Sequence, residues 1–239
     1  MVNNLREKSM NEIRFIKDLS WNGQIMARGR ENGRNPLFIR QGDLDGACAV
    51  YSLMMMLMIH RKINRRELED RKAAKNNTDG GYNSYMRLQD QFLGGLKGLY
   101  KDGYYFRQLA EELHSCFKDK ATAAVIDDVF GKRADSKEKQ GIAQAIMKTL
   151  QNGYPVEIGF SRRRGCGHAV VAVGYTTTRT SLRLFCLDPG FDISKIGFWN
   201  SIIDIHCFEP SSAIYSDLYY TPDGNCSRVT VDEILTIND

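Results

Sequence analysis

The hydrophobic pattern of this chain changes period near residue 153, and that change limits the fold more than any other feature. Before it, apolar residues recur every three to four positions, as on one face of a helix; after it, they alternate or run together over short stretches, as in strands. Helices first and strands second predict an α+β fold. Residues 47–62 contain VYSLMMMLMI, apolar nearly all round, which describes a helix buried at the centre of a protein. A second helix is expected from Phe106 through Leu109, Ala110, Leu113 and Phe117. A third is expected over 137–152, with Gly153 as its left-handed stop. Strands are expected at 156–160, 168–175, 182–188 and 201–208, with a short last one at 229–234. Residues 76–84 (NNTDGGYNS) form a polar connection and 176–181 (TTTRTS) a hairpin loop.

Composition removes several classes of function. With 21 Gly and only 5 Pro in 239 residues, the chain is neither collagen-like nor a low-complexity tail. The longest apolar run, 47–59, is shorter than the roughly 18 to 20 residues of a membrane span. The first 20 residues mix charges with isolated apolar side chains and lack the apolar core of a secretory signal, so a cytoplasmic location is expected. The formal net charge of +4 comes from separated basic clusters in 1–40, 61–75 and 161–200, against an acidic last segment. None carries a nucleic-acid motif, and no nucleic-acid partner is expected. The six cysteines (48, 116, 166, 186, 207 and 226) show no dense spacing and are read as free thiols. Only Cys166-Gly167-His168 has ligand-like spacing, so neither metal nor cofactor is expected.

Three of the remaining residue types can meet. Cys48 opens the most apolar helix, behind Asp45-Gly46-Ala47, where the positive end of the helix dipole favours a thiolate. His168 opens a strand, GHAVVAVGY at 167–175, too apolar to be anything but central. Folding that strand onto the next about Thr178 sets position 168 opposite Asp188, and a carboxylate there would orient the imidazole and stabilise its charged form. Gln41, seven residues before Cys48, can return its amide beside the sulfur and form an oxyanion hole with the Cys48 backbone N–H.

These residues resemble those of the papain-like cysteine peptidases, in which a glutamine, a helix-starting cysteine, a strand-starting histidine and a later Asn or Asp follow in that chain order. GHAVVAVGY is similar to the family's histidine strand, LQNGYPV at 150–156 resembles the helix, turn and strand before it, and Leu187-Asp188-Pro189 looks like the Asp-Pro version of bacterial double-glycine leader peptidases. The resemblance covers about 41–188. It implies a helical half (41–152) and an antiparallel β-sheet half (153–239) with the active-site cleft between them, preceded by an extension, 1–40. It implies Gln41 as oxyanion donor, Cys48 as nucleophile, His168 as general base and acid, and Asp188 as orienter. Trp199-Asn200 offers a second orienter, held behind Asp188 because it lies further from His168. Unlike papain, the chain has Ala49 rather than tryptophan after the cysteine; with neither a propeptide nor an export signal seen, it looks more like a cytosolic or effector-type bacterial member than a lysosomal or secreted one.

The function expected is hydrolysis of a peptide or isopeptide bond in a protein or peptide substrate, through an acyl-enzyme. Gly46, Gly167 and Arg164 are the expected substrate contacts, the glycines by allowing close backbone approach and the arginine by giving the cleft a basic rim. The same triad also serves a transglutaminase-like acyltransferase or deamidase, and a non-catalytic peptide-binding module of the same fold is the third possibility.

Overall fold

The computed structural model describes residues 12–29, 33–42, 47–75, 81–94, 104–127, 136–162, 167–193, 197–208 and 216–238. Six consecutive strands in its second half wind as an antiparallel meander: β6 (Val156–Arg162), β7 (Gly167–Thr177), β8 (Ser181–Leu187), β9 (Ser201–His206), β10 (Asp217–Tyr220) and β11 (Cys226–Asn238). Each pairs with the next, and β11 pairs back onto β6, so the expected antiparallel sheet closes into a six-stranded barrel. Closure removes the two edges that an open sheet of these apolar strands would leave exposed.

The two longest strands outrun their barrel neighbours and recruit extra ones. β7 adds β1 (Arg14–Phe15), and β11 adds β5 (Thr122–Asp127), which pairs Ile126 with Ile234. A separate three-stranded sheet is made by β2 (Leu19–Trp21), β3 (Ile25–Arg28) and β4 (Arg34–Pro36). Helix and strand are therefore mixed along the chain rather than segregated at residue 153. Strands of two to six residues hold too few positions for alternation to show, so β1 to β5 leave no period in the sequence.

The helices are α1 (Cys48–Ile59), α2 (Arg65–Glu69), α3 (Arg71–Lys75), α4 (Ser84–Phe92), α5 (Phe106–Phe117) and α6 (Ser136–Gln151). α1 buries Ala49, Val50, Ser52 and every residue from Leu53 to Met58, packing on β7 and β6. It ends three residues earlier than expected, because Arg61 turns left-handed at φ 58° and the His60, Arg61 and Lys62 amides cap the last carbonyls. α6 stops as expected: Gly153 has φ 90° and its N–H donates to Leu150 O at 3.0 Å. β11 is 13 residues long rather than six. A bulge between Val231 and Glu233 breaks its alternation, so the charged Asp232-Glu233 pair reads in sequence as a strand end.

Candidate active site

Cys48 is the first residue of α1, following Ala47, whose carbonyl accepts the Tyr51 N–H at 3.0 Å. Among the described residues no side chain caps this end and the first turn holds no acidic residue, so the positive helix end lies at the half-buried thiol. Packing sets where that end points. Ser52 Oγ, one turn further along, donates to Ala169 O of β7 at 3.4 Å, which fastens α1 beside the start of the strand that carries His168.

His168 and Asp188 meet, though not by the register expected. The turn lies at Arg179-Thr180 and β7 pairs Val171 with Leu187 and Ala172 with Cys186, with a bulge before Gly174. Continued, that register sets Gly190, not Asp188, opposite His168. Asp188 has already left the strand and reaches back: its Oδ1 lies 2.8 Å from His168 Nε2 and accepts the Gly190 N–H at 2.7 Å. A Cβ on Gly190 would sit 3.1 Å from that oxygen and 3.5 Å from His168 Cε1, so a glycine clears the space in which the two groups meet.

The electrostatics of the pair are one-sided. Asp188 is fully buried and His168 has a side-chain exposure of 17%. Burial by itself favours the neutral ring, but hydrogen bonds to the Asp188 carboxylate and the Cys48 side chain outweigh it and raise the His168 pKa to about 10. With Nε2 engaged by Asp188, Nδ1 is the nitrogen available to the sulfur.

Two further residues hold Asp188. Tyr219 is fully buried on β10 and packs on Phe160 at 4.7 Å between centroids, and its hydroxyl donates to Asp188 Oδ2. Burial and that carboxylate push the phenol well up, so the hydroxyl keeps its proton and stays a donor. Asn200 does not bond to His168 in place of Asp188. Its Oδ1 accepts the Asp188 N–H at 2.6 Å, and its Nδ2 donates to Asp188 O at 2.8 Å and Phe191 O at 3.1 Å, which pins the backbone carrying the aspartate. Neither role has a local signal, since both run across the barrel between residues 12 and 31 positions apart.

Gln41 is half-buried, and its N–H donates to Pro189 O at 2.9 Å, tying its loop to the residue after Asp188. Arg40 Nε lies 3.1 Å from Asp192 Oδ1 on the same segment. Gly167 is exposed beside His168, and a Cβ there would meet nothing within 4 Å, so internal packing does not require the glycine. Gly46 and Arg164 lie outside the described residues. Arg162, two positions before Arg164, stands over the Tyr219 ring at 5.6 Å. Among the described residues, Cys48, Cys116, Cys186, Cys207 and Cys226 are free thiols, no three His, Cys, Asp or Glu side chains group as metal ligands, and no helix is long and apolar enough to cross a membrane.

No family model matches the chain, and no curated protein sequence does. Among solved structures it is similar to the crystal structure of UfSP from C. elegans, with 12% identity and a TM-score of 0.44 over 95% of this chain; the chain spans about a third (34%) of that protein's length.

Proposed function

We propose that this chain is a papain-like cysteine peptidase that hydrolyses peptide or isopeptide bonds with Cys48, His168 and Asp188, on a catalytic unit running from residue 41 to 239. The observation that carries the reading is the hydrogen-bonded line from a helix-starting cysteine through an imidazole to a fully buried carboxylate. A histidine raised to about 10 holds its proton at neutral pH, the state in which it pairs with a thiolate and serves as an acid.

In this mechanism the Cys48 sulfur attacks the substrate carbonyl carbon, and the electron pair of the carbonyl moves to its oxygen. The Gln41 amide and the Cys48 backbone N–H face that oxyanion, the positive end of α1 adding to the field. His168 gives its proton to the departing nitrogen as the C–N bond breaks, leaving a thioester. The now neutral ring takes a proton from water, the hydroxide displaces the sulfur, and the thiolate–imidazolium pair returns with release of the acid. Asp188 keeps Nε2 protonated throughout, while Tyr219 and Asn200 keep Asp188 in place. Gly167 leaves room for substrate backbone beside His168.

The test is turnover of a mixed peptide library, read by mass spectrometry, for the wild type and C48A. Cleavage lost in C48A, with thermal stability changed by no more than about 1 kcal/mol, supports the reading. A C48A protein that still cleaves would sink it.

A further inference from the structure

Glu157 is the one acidic residue of β6, and its surroundings do not suit an anion. Strand alternation puts it on the same face as Gly159, where a Cβ would come within 3.1 Å of Phe106 Cζ on α5 and 3.3 Å of Glu233 Cβ on β11. That face lies under the helices, and α1, which begins with Cys48, packs on β6. Glu157 is fully buried, and neither carboxyl oxygen has a hydrogen-bond partner among the described residues. The strand neighbours in register with it, Val171 and Leu235, are apolar.

Among the described residues, the titratable groups that act on Glu157 are Cys48 from α1 and Glu233 from β11, and each is negative when ionised. Phe106 is what α5 brings to this face, and its N–H donates to Glu233 Oε2 at 3.3 Å. Burial, and then the charge that Cys48 would carry when ionised, push Glu157 well above the usual carboxylate range, and burial also raises Glu233. With no cation acting on it among the described residues, an anion at position 157 would be desolvated without compensation, which costs far more than keeping the proton.

We infer that Glu157 is a positioning residue for the nucleophile: a neutral carboxylic acid packed below α1, whose ionisation and the negative charge on the Cys48 sulfur oppose each other. The inference rests on the reading of Cys48 as the nucleophile. The coupling is reciprocal, so a thiolate at Cys48 keeps Glu157 protonated to the same extent that a protonated Glu157 permits the thiolate. The site then carries one negative charge on the sulfur side of His168 rather than two, and no proton leaves Glu157 during turnover.

The experiment is infrared spectroscopy of the whole chain across pH, following the carbonyl stretch of a protonated carboxyl in the wild type, E157Q and C48A, with the rate of Cys48 alkylation measured alongside. A band present through neutral pH in the wild type and missing in E157Q is expected. In C48A its titration midpoint should fall, by about one to two pH units for charges about 12 to 6 Å apart at an effective dielectric of about 20. If E157Q does not fold, the wild-type and C48A midpoints make the same comparison. Fast Cys48 alkylation with an unshifted midpoint, or a wild-type spectrum that E157Q leaves unchanged, overturns the proposal alone. Slow alkylation with no turnover overturns the peptidase reading instead.

Discussion

Replacing Tyr219 by Phe removes one oxygen and keeps the ring that packs on Phe160 and lies 6.2 Å from His168. What is lost is the hydrogen bond to Asp188 Oδ2. Asp188 is completely buried, so water cannot replace the missing donor, and the oxygen is left with its charge and one partner fewer. Hydrogen bonds to charged groups contribute about 1.5 to 3 kcal/mol, which sets the expected loss of stability at about 2 kcal/mol. With a guanidinium m-value of about 4 kcal/mol/M, the unfolding midpoint should fall by about 0.5 M at unchanged slope. The effect should also reach His168. A carboxylate held from one side orients the ring less well, and turnover is expected to fall about tenfold while KM changes little. Chemical denaturation and steady-state kinetics on the same preparation read both numbers. A Y219F protein within about 0.5 kcal/mol of wild type, the ordinary scatter of surface substitutions, would refute the claim that the hydroxyl supports the buried carboxylate.

Asn200→Ala removes the four hydrogen bonds of its side chain to the backbone of Asp188, Phe191 and Asp192 and should cost about 2 to 4 kcal/mol, with turnover reduced further than in Y219F; thermal unfolding and kinetics check it. The raised His168 pKa makes stability depend on pH in a defined direction: the protonated ring contributes fully below its ordinary 6.5, and the contribution is lost as pH rises through about 10. Melting temperatures between those limits should therefore fall in the wild type and stay flatter in D188N, whose partner no longer carries a charge. Iodoacetamide should label Cys48 well below about pH 8, and faster than Cys116, whose thiol burial pushes up to about 11, or the fully buried Cys186; peptide mass spectrometry reads all of them in one sample. In H168A that advantage of Cys48 should disappear, and equal rates in wild type and variant would separate the thiol from the imidazole.

How much of this was legible in the sequence depends on the range over which each feature is decided. α1, α5 and α6 end within three residues of where the apolar spacing puts them, because a helix chooses its buried face from side chains three and four apart. The start of α1 at Cys48 and the place of His168 on an apolar strand are local in the same sense. The pairing of β7 with β8 was legible as a hairpin, but its register was not. The bulge before Gly174 and the turn at Arg179-Thr180 shift it by two positions, and no alternation pattern reports a shift that preserves the face.

By itself, then, the sequence determined the periods of its longer elements: that α1, α5 and α6 are helices and β6, β7, β8, β9 and β11 strands, which of their faces are apolar, and that a cysteine stands at a helix start. Only the tertiary structure decided partners. Closure of β11 onto β6 carries Tyr219 to the far oxygen of Asp188, and the packing of α1 across β6 buries Glu157 within electrostatic reach of Cys48. A strand's pattern says that one face is buried and not what lies opposite, so a tyrosine that braces a carboxylate and one that fills a core read identically until the barrel closes.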